Sequence, residues 1–278
     1  MSKIAVIGLA GNSAFMSVDS FHKSGETVHA KQIHFEPGGK GFNQAVAAAR
    51  FGAEVSFLGA VGSEYNREIE EFLIKDNIKP YLVKKNDSTA FATILTDANG
   101  ANQVTVYAGA CLEANDVNAF EAEIEKADIL LLNNEVPLEV NEKAIAAAKK
   151  SGTMVVYNPA PSKKLSDYII KNVDMFTPNE HEISGLEHLS NVIITLGSKG
   201  CLIKSTGEQI SAAKIDKVVD TTGAGDTFNG VLACELADGK ELEKAVKHAV
   251  MASGVSVTQR FAATSVPTRK QVFDYFNK

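Results

Sequence analysis

The chain has 278 residues, 45% hydrophobic and 22% charged, ordinary figures for one large or two small domains with a sizeable core. Lys and Arg number 28 against 34 Asp and Glu, for a net charge of −6, and no basic run exceeds a pair, which excludes a nucleic-acid-binding protein. Three scattered cysteines without a CxxC, and no apolar stretch near ~18 residues, exclude a disulfide framework, a cysteine metal site and a membrane span. The apolar run at the N-terminus is too short for a signal peptide, so the expectation is a cytoplasmic protein.

In chain order, Ile4–Gly8 reads as a buried strand, Asn43–Phe51 as an Ala-rich helix closed by Gly52, and Val55–Ala60 as a strand. Glu64–Lys75 follows as a helix with Ser63 as its N-cap. Then come strand Ile129–Leu132, helix Asn141–Lys150 closed by Gly152, and strands Met154–Tyr157 and Val192–Leu196. The last 55 or so residues are helical: Ala224–Leu236, Leu242–Val257 and, beyond Pro267, Arg269–Phe276. Continuous apolar strands alternating with helices predict a mostly parallel sheet covered on both faces. Two stretches break the rhythm, residues 12–37 and 88–109. The second carries β-rich runs around Asp97, Asn99 and Gly100, a hairpin signal. Together they predict a small β-sheet projecting from an α/β core formed by residues 1–278.

Three glycine-rich stretches are candidates for ligand contact. Gly8 to Gly11 lacks the GxGxxG of a dinucleotide fold and reads as a strand-exit turn, which argues against an oxidoreductase. Gly38, Gly39, Lys40, Gly41 and Asn43 precede a helix without matching a P-loop; a ligand loop and a tight turn with Asn43 as N-cap are equally consistent. The third runs from Asp220 and Thr222 through Gly223, Ala224, Gly225 and Asp226 into a helix. Small residues there leave first-turn amides open to an anion such as a transferring phosphoryl group. Asp226 alone is also consistent with a residue that satisfies the helix dipole. The six histidines show no ligand spacing.

The run Gly39–Asn43 with Gly52 and Gly62, the Asp220–Asp226 stretch, Asn179 with Glu182, and Thr195–Gly200 together resemble the signatures of the ribokinase-like (PfkB) carbohydrate kinases, in that family's order. The resemblance spans Ile4 to Phe276 and implies a three-layer α/β/α core, a mostly parallel sheet, a small β-sheet lid and a homodimer made through it. It implies a kinase that transfers the γ-phosphate of ATP to a hydroxyl, primary in the nearest cases, of a small sugar or sugar-like substrate. Asp226 then corresponds to the general base, with Gly223, Ala224 and Gly225 as the anion hole. Gly11, Ser13, Gly39, Lys40, Asn43 and Glu135 correspond to substrate contacts, and Asn179, Thr195, Gly197, Ser198, Gly200 and Gly225 to ATP contacts. Asn179 and Glu182 correspond to residues that hold Mg²⁺ through water, and Asp220, Thr222 and Ser265 to a monovalent cation site for K⁺.

The sequence also departs from that pattern. Ungapped alignment puts Gly11 and Ser13 where the family carries an Asn and an Asp that grip sugar hydroxyls, a loss of charge-assisted bonds worth roughly 1.5–3 kcal/mol each. Only 12 residues separate Glu182 from Thr195, where the family inserts a helix; Phe261 replaces a glycine near the cation site, and Val250 a polar residue near the adenine. A nucleoside or other sugar-derivative kinase, and a non-catalytic sugar sensor on the same fold, remain as alternatives. Intact base and anion-hole positions argue against the sensor.

Overall fold

Residues 1–63, 67–98 and 101–277 are described by a computed structural model in which strands and helices alternate along most of the chain. The first half runs β1 (Lys3–Ile7), β2 (Gly11–Ser17), β3 (Gln32–Gly38), α1 (Lys40–Phe51), β4 (Glu54–Val61), α2 (Arg67–Lys75), β5 (Ile78–Lys84), β6 (Ala90–Thr96) and β7 (Asn102–Tyr107). It continues α3 (Glu121–Lys126), β8 (Ile129–Asn133), α4 (Leu138–Ser151), β9 (Met154–Asn158), α5 (Asp167–Asn172), β10 (Met175–Phe176), β11 (Ile193–Thr195), β12 (Cys201–Ile203) and β13 (Glu208–Ile210). Helices α6 (Ala224–Ala237), α7 (Leu242–Ser256) and α8 (Arg269–Phe276) close the chain.

Six strands form a wholly parallel sheet in the order β10-β9-β8-β1-β4-β5. Alternate residues of one strand serve opposite cores. Ile4 and Val6 of β1 pack with Phe42 and Val46 of α1 and Val231 of α6, whereas Ala5 and Ile7 pack with Val140 and Ile145 of α4. Burial on both faces is why these strands read as unbroken apolar runs. Pro80 falls in β5, an edge strand, where a missing N–H costs no ladder bond. Strand order reverses direction at β1, so the carboxyl ends of β1 and β8 flank a topological switch point, the usual place for a ligand crevice in such sheets.

The two irregular stretches do form a second sheet, ordered β3-β2-β6-β7, antiparallel at both outer pairs and parallel at its centre. The tip of the expected hairpin, Asn99 and Gly100, lies outside the described residues, as do residues 64–66 where the helix expected from Glu64 would begin. Strand β11 departs from expectation. It belongs to a three-stranded antiparallel sheet with β12 and β13, joined to the main sheet by single bridges from Phe176 to Val192 and from Asn179 to Thr195. The short connection after Glu182 is built of turns, with no helix from residue 177 to 192.

Helix α1 starts at Lys40, three residues before the expected boundary, with Gly39 as its cap residue at φ 119°. Asn43 is therefore not an N-cap: its backbone N–H bonds to the Gly39 carbonyl at 2.9 Å and its side chain is released for other work. A side chain at position 39 would strike the Leu9 carbonyl at 2.3 Å, so the loop packs directly against the exit of β1. Helices α1 and α6 approach to backbone contact at Gly230, where an added Cβ would lie 2.3 Å from the Gln44 carbonyl oxygen and 2.6 Å from Ala47 Cβ.

Candidate active site

Two cavities flank the N-terminal turn of α6. The first, of about 460 Å³, lies between the main sheet and the smaller sheet; Gly11, Ser13, Gly39, Lys40, Asn43, Glu135 and Thr222 all line it. The second, of about 500 Å³, is lined by Asn179, Thr195, Gly197, Ser198, Gly200, Ala224, Gly225 and Val250. The residues expected to meet a sugar thus gather in one cavity and those expected to meet ATP in the other. The turn from Thr221 to Gly225 is the partition between them.

Asp226 sits in the first turn of α6, behind Gly223, which caps the helix in the left-handed region at φ 75°. Only 7% of its surface is exposed. It lines neither cavity directly but lies behind Asn43 and beside Gly225, each of which lines one. Its carboxylate accepts hydrogen bonds from Asn43 Nδ2 at 3.1 Å and Gln44 Nε2 at 3.2 Å. Burial pushes its pKa up, while the Lys40 ammonium and the two amides pull it down. A carboxylate so placed is ionisable yet poorly solvated, as suits a group that must accept a proton.

Glu135 follows β8 and turns back over the start of α1, where its Oε2 accepts the Lys40 backbone N–H at 2.6 Å. Asn133, at the end of β8, braces this loop by accepting the Glu135 N–H at 2.9 Å. Burial first, then the negative charge of Asp226, raise the Glu135 carboxyl to about 7 against the pull of Lys40. The Lys40 ammonium answers three carboxylates, chiefly Asp226 and then Glu135 and Glu182, which together raise its pKa. The first cavity therefore presents alternating charge at its core side. On its other side the smaller sheet offers Phe15, Ala92, Ile94, Val104 and Val106.

Asn179, which lines the second cavity, and Glu182 close a turn on themselves. Asn179 N–H donates to Glu182 Oε2 at 3.0 Å, and Asn179 Oδ1 accepts the His181 and Glu182 amides at 2.8 and 3.0 Å. Among the described residues no three His, Cys, Asp or Glu side chains cluster as a metal site. Mg²⁺ needs only one or two carboxylates beside phosphate and water, and Glu182, within electrostatic reach of Lys40, fits that sparse requirement.

Asp220 and Thr222 bond to each other, and Ser265 lies in the loop whose Phe261 amide Asp220 holds; all three turn their oxygens to their own chain. Asp220 Oδ1 accepts from the Thr222 amide at 2.9 Å and hydroxyl at 2.7 Å, Asp220 Oδ2 accepts the Phe261 N–H at 2.9 Å, and the Ser265 hydroxyl donates to the Ala262 carbonyl at 2.8 Å. Phe261 occupies the left-handed region at φ 75°, uncommon for a side chain with a Cβ, and stacks on His34 with ring centres 3.8 Å apart.

Sequence reasoning did not single out Glu36, Gln44, Asn134 or Asn158. Glu36 is 4% exposed, and its carboxylate accepts the amides of Ala262, Ala263 and Thr264 and the Thr264 hydroxyl, tying β3 to the loop behind the α6 turn. Asn134 accepts from the Tyr157 hydroxyl and lines the first cavity. Polar residues inside otherwise apolar runs, such as Gln44 and Asn158, were the available signal.

The pfkB family carbohydrate kinase profile matches residues 1–269. A ribokinase of Haemophilus influenzae is 33% identical over 98% of this chain and 97% of its own. A crystal structure of ribokinase from Thermotoga maritima superposes with a TM-score of 0.89 at 32% identity, covering 100% of both chains. That of Arabidopsis thaliana ribokinase, complexed with ribose and ATP, gives 0.86 at 27%, again over the full length of both. The chain belongs to the pfkB family of carbohydrate kinases, phosphotransferases with an alcohol acceptor.

Proposed function

We propose that this kinase transfers the γ-phosphate of ATP to the primary hydroxyl of a small sugar, with Asp226 as general base. The observation that carries the reading is the position of Asp226 at the partition between the two cavities, beside first-turn amides of α6. A sugar in the first cavity meets Lys40, Asn43 and Glu135, while the nucleotide lies in the second along Asn179, Thr195, Gly197, Ser198 and Gly200. The acceptor hydroxyl gives its proton to the Asp226 carboxylate as its oxygen bonds to the γ-phosphorus. The bond from γ-phosphorus to the β–γ bridging oxygen breaks and ADP leaves. Negative charge growing on the transferred group falls against the amides at Gly223–Gly225 and the helix dipole, so the protein's contribution is in-line placement and charge stabilisation. Mg²⁺, held through water by Glu182 and Asn179, would neutralise phosphate charge. Asp220 is bonded within its own loop, and no step above depends on K⁺.

The smaller sheet would close over the sugar and exclude water. By the alternation of its strands, Ser13, Phe15, Ile94 and Val106 face the cavity, whereas Ile33, Phe35, Phe91 and Tyr107 share the opposite face. Ile33 is 55% and Phe35 59% exposed, an apolar surface suited to a second copy of the chain. Phe35→Lys would then lower the mass seen by light scattering from dimer to monomer; unchanged mass would remove that assembly.

The decisive assay screens sugars and nucleosides with ATP and Mg²⁺, following ADP release. The expected result is acceptor-dependent turnover with a pentose. Phosphorylation of nucleosides only would move the substrate to the alternative class, and ADP release that ignores every acceptor would end the proposal.

A further inference from the structure

Behind the Asp226 carboxylate runs a chain of buried side-chain hydrogen bonds that the proposed reaction does not use. Gln44 Nε2 donates at 3.2 Å to Asp226 Oδ1 and at 3.2 Å to Asn158 Oδ1. Asn158 Nδ2 donates at 2.9 Å to the Thr177 carbonyl, and the Thr177 hydroxyl donates to Asn229 Oδ1. Asn229 Nδ2 then donates at 2.8 Å to the carbonyl of Gly225. Gly225 precedes Asp226, so the chain closes into a ring that starts at the carboxylate and ends at the neighbouring peptide.

Its members come from four places: α1, the end of β9, the segment after β10 and the second turn of α6. Gln44 is 0%, Thr177 1%, Asn229 1% and Asn158 6% exposed. Apolar side chains would fill this space and hold the elements together at least as well, because buried polar groups are costly unless every bond is made. What a polar ring adds is direction. Gln44 shows this best: its Nε2 serves two acceptors while its Oε1, equally buried, has no partner. Turning the amide over would set that oxygen against the Asp226 carboxylate, so its orientation is forced.

We propose that Gln44, Asn158, Thr177 and Asn229 are positioning residues, a ring that fixes the Asp226 carboxylate relative to the Gly225 peptide so that base and anion hole keep one geometry through the reaction. The inference rests on the reading of Asp226 as the base. Asn43 on Oδ2 and Gln44 on Oδ1 fix the plane of the carboxylate from two sides. The charged groups that act on it are Lys40, which favours its ionised form, and Glu135, whose own carboxyl it pushes up; Glu182 acts on Lys40 in turn.

Two measurements test the ring. In full-length protein, Thr177→Val is expected to lower kcat roughly 10- to 100-fold with both KM values within about threefold, and Thr177→Ser to restore kcat to within about twofold. Equal kcat in the two variants would overturn the proposal. In protein labelled with ¹³C at aspartate Cγ, the Asp226 resonance is identified by its loss in Asp226→Asn, which keeps the Glu135 titration out of view. Gln44→Leu is expected to move the Asp226 midpoint upward by about one pH unit. A midpoint that stays put would sink the ring whatever the activity. If Gln44→Leu does not fold, the Thr177 pair alone decides. Full turnover in Asp226→Asn would instead remove the base assignment, a result distinct from either.

Discussion

The two sides of the cleft are made of different materials. The cavity proposed for the sugar sets the polar side chains of Lys40, Asn43 and Glu135 against the apolar smaller sheet, and Lys40 and Glu135 act on each other's ionisation. The cavity proposed for the nucleotide is lined mostly by glycine, alanine, serine and short aliphatic residues, among them Gly197, Gly200, Ala212, Ala213 and Gly254, with Asn179, Glu180 and His181 at one end. A wall of side chains discriminates among acceptors because each missing partner leaves a buried polar group unpaired. A wall of backbone holds a co-substrate by shape and dipole, and tolerates substitution.

The contrast can be broken most readily at its boundary. Asp226→Asn is expected to lower kcat by about 10³- to 10⁴-fold while ATP binding by calorimetry stays within threefold; comparable kcat would place the base elsewhere. Next in size, Glu135→Gln on the sugar side should raise the sugar KM roughly 10- to 100-fold, the loss of a charge-assisted hydrogen bond. The same variant tests the electrostatics. Glu135 titrates near 7 when folded, above its unfolded value, so the native state binds the extra proton between those limits and stability falls as pH rises through them. Glu135→Gln should therefore melt about 2–4 °C above the parent at pH 8, an advantage that shrinks as pH falls and vanishes by about pH 4; a constant difference across pH would deny the shifted carboxyl. On the nucleotide side, Ser198→Ala should raise the ATP KM only about two- to fivefold, and a hundredfold change would erase the distinction between the walls. Smallest of all, replacing K⁺ by a large organic cation should alter kcat/KM by less than about twofold, because the Asp220 oxygens already hold three donors from their own chain. Tenfold activation by K⁺ would show that the loop bearing Phe261 rearranges.

Much of this organisation is legible in the sequence. Runs such as Ile129–Leu132 announce a doubly covered sheet, and Gly52 and Gly152 mark helix ends that the structure shows in the left-handed region. The glycine-flanked Asp226 was visible because two glycines at a helix start are costly without a reason. The start of α1 was misplaced by three residues because Gly41 looks like a helix breaker. In the structure Gly41 packs against Gly8, and an added Cβ would lie 2.7 Å from the Gly8 Cα, so contact between distant segments overrides local propensity. Antiparallel pairing of β11 was illegible for a similar reason: an apolar run specifies burial, not its neighbour. Glu36 escaped notice because nothing in the chain links it to residues 262–264, more than 220 positions away. Long-range partners of a buried charge are decided by the fold, and periodicity carries no record of them.

Gly230 stands one helical turn beyond Asp226, on the same side of α6. The hydrogen it carries in place of a methyl sets how far apart two helix axes stand, and the grip of Asn43 and Gln44 on the carboxylate, at 3.1 and 3.2 Å, has only a few tenths of an ångström before it ceases to be a bond. Widening that gap by the width of a single carbon would release the Asp226 carboxylate without touching any residue that lines either cavity. Chemistry at the cleft floor is thereby set by clearance deeper in the protein, and a survey of cleft-lining positions alone would overlook the residue that sets it.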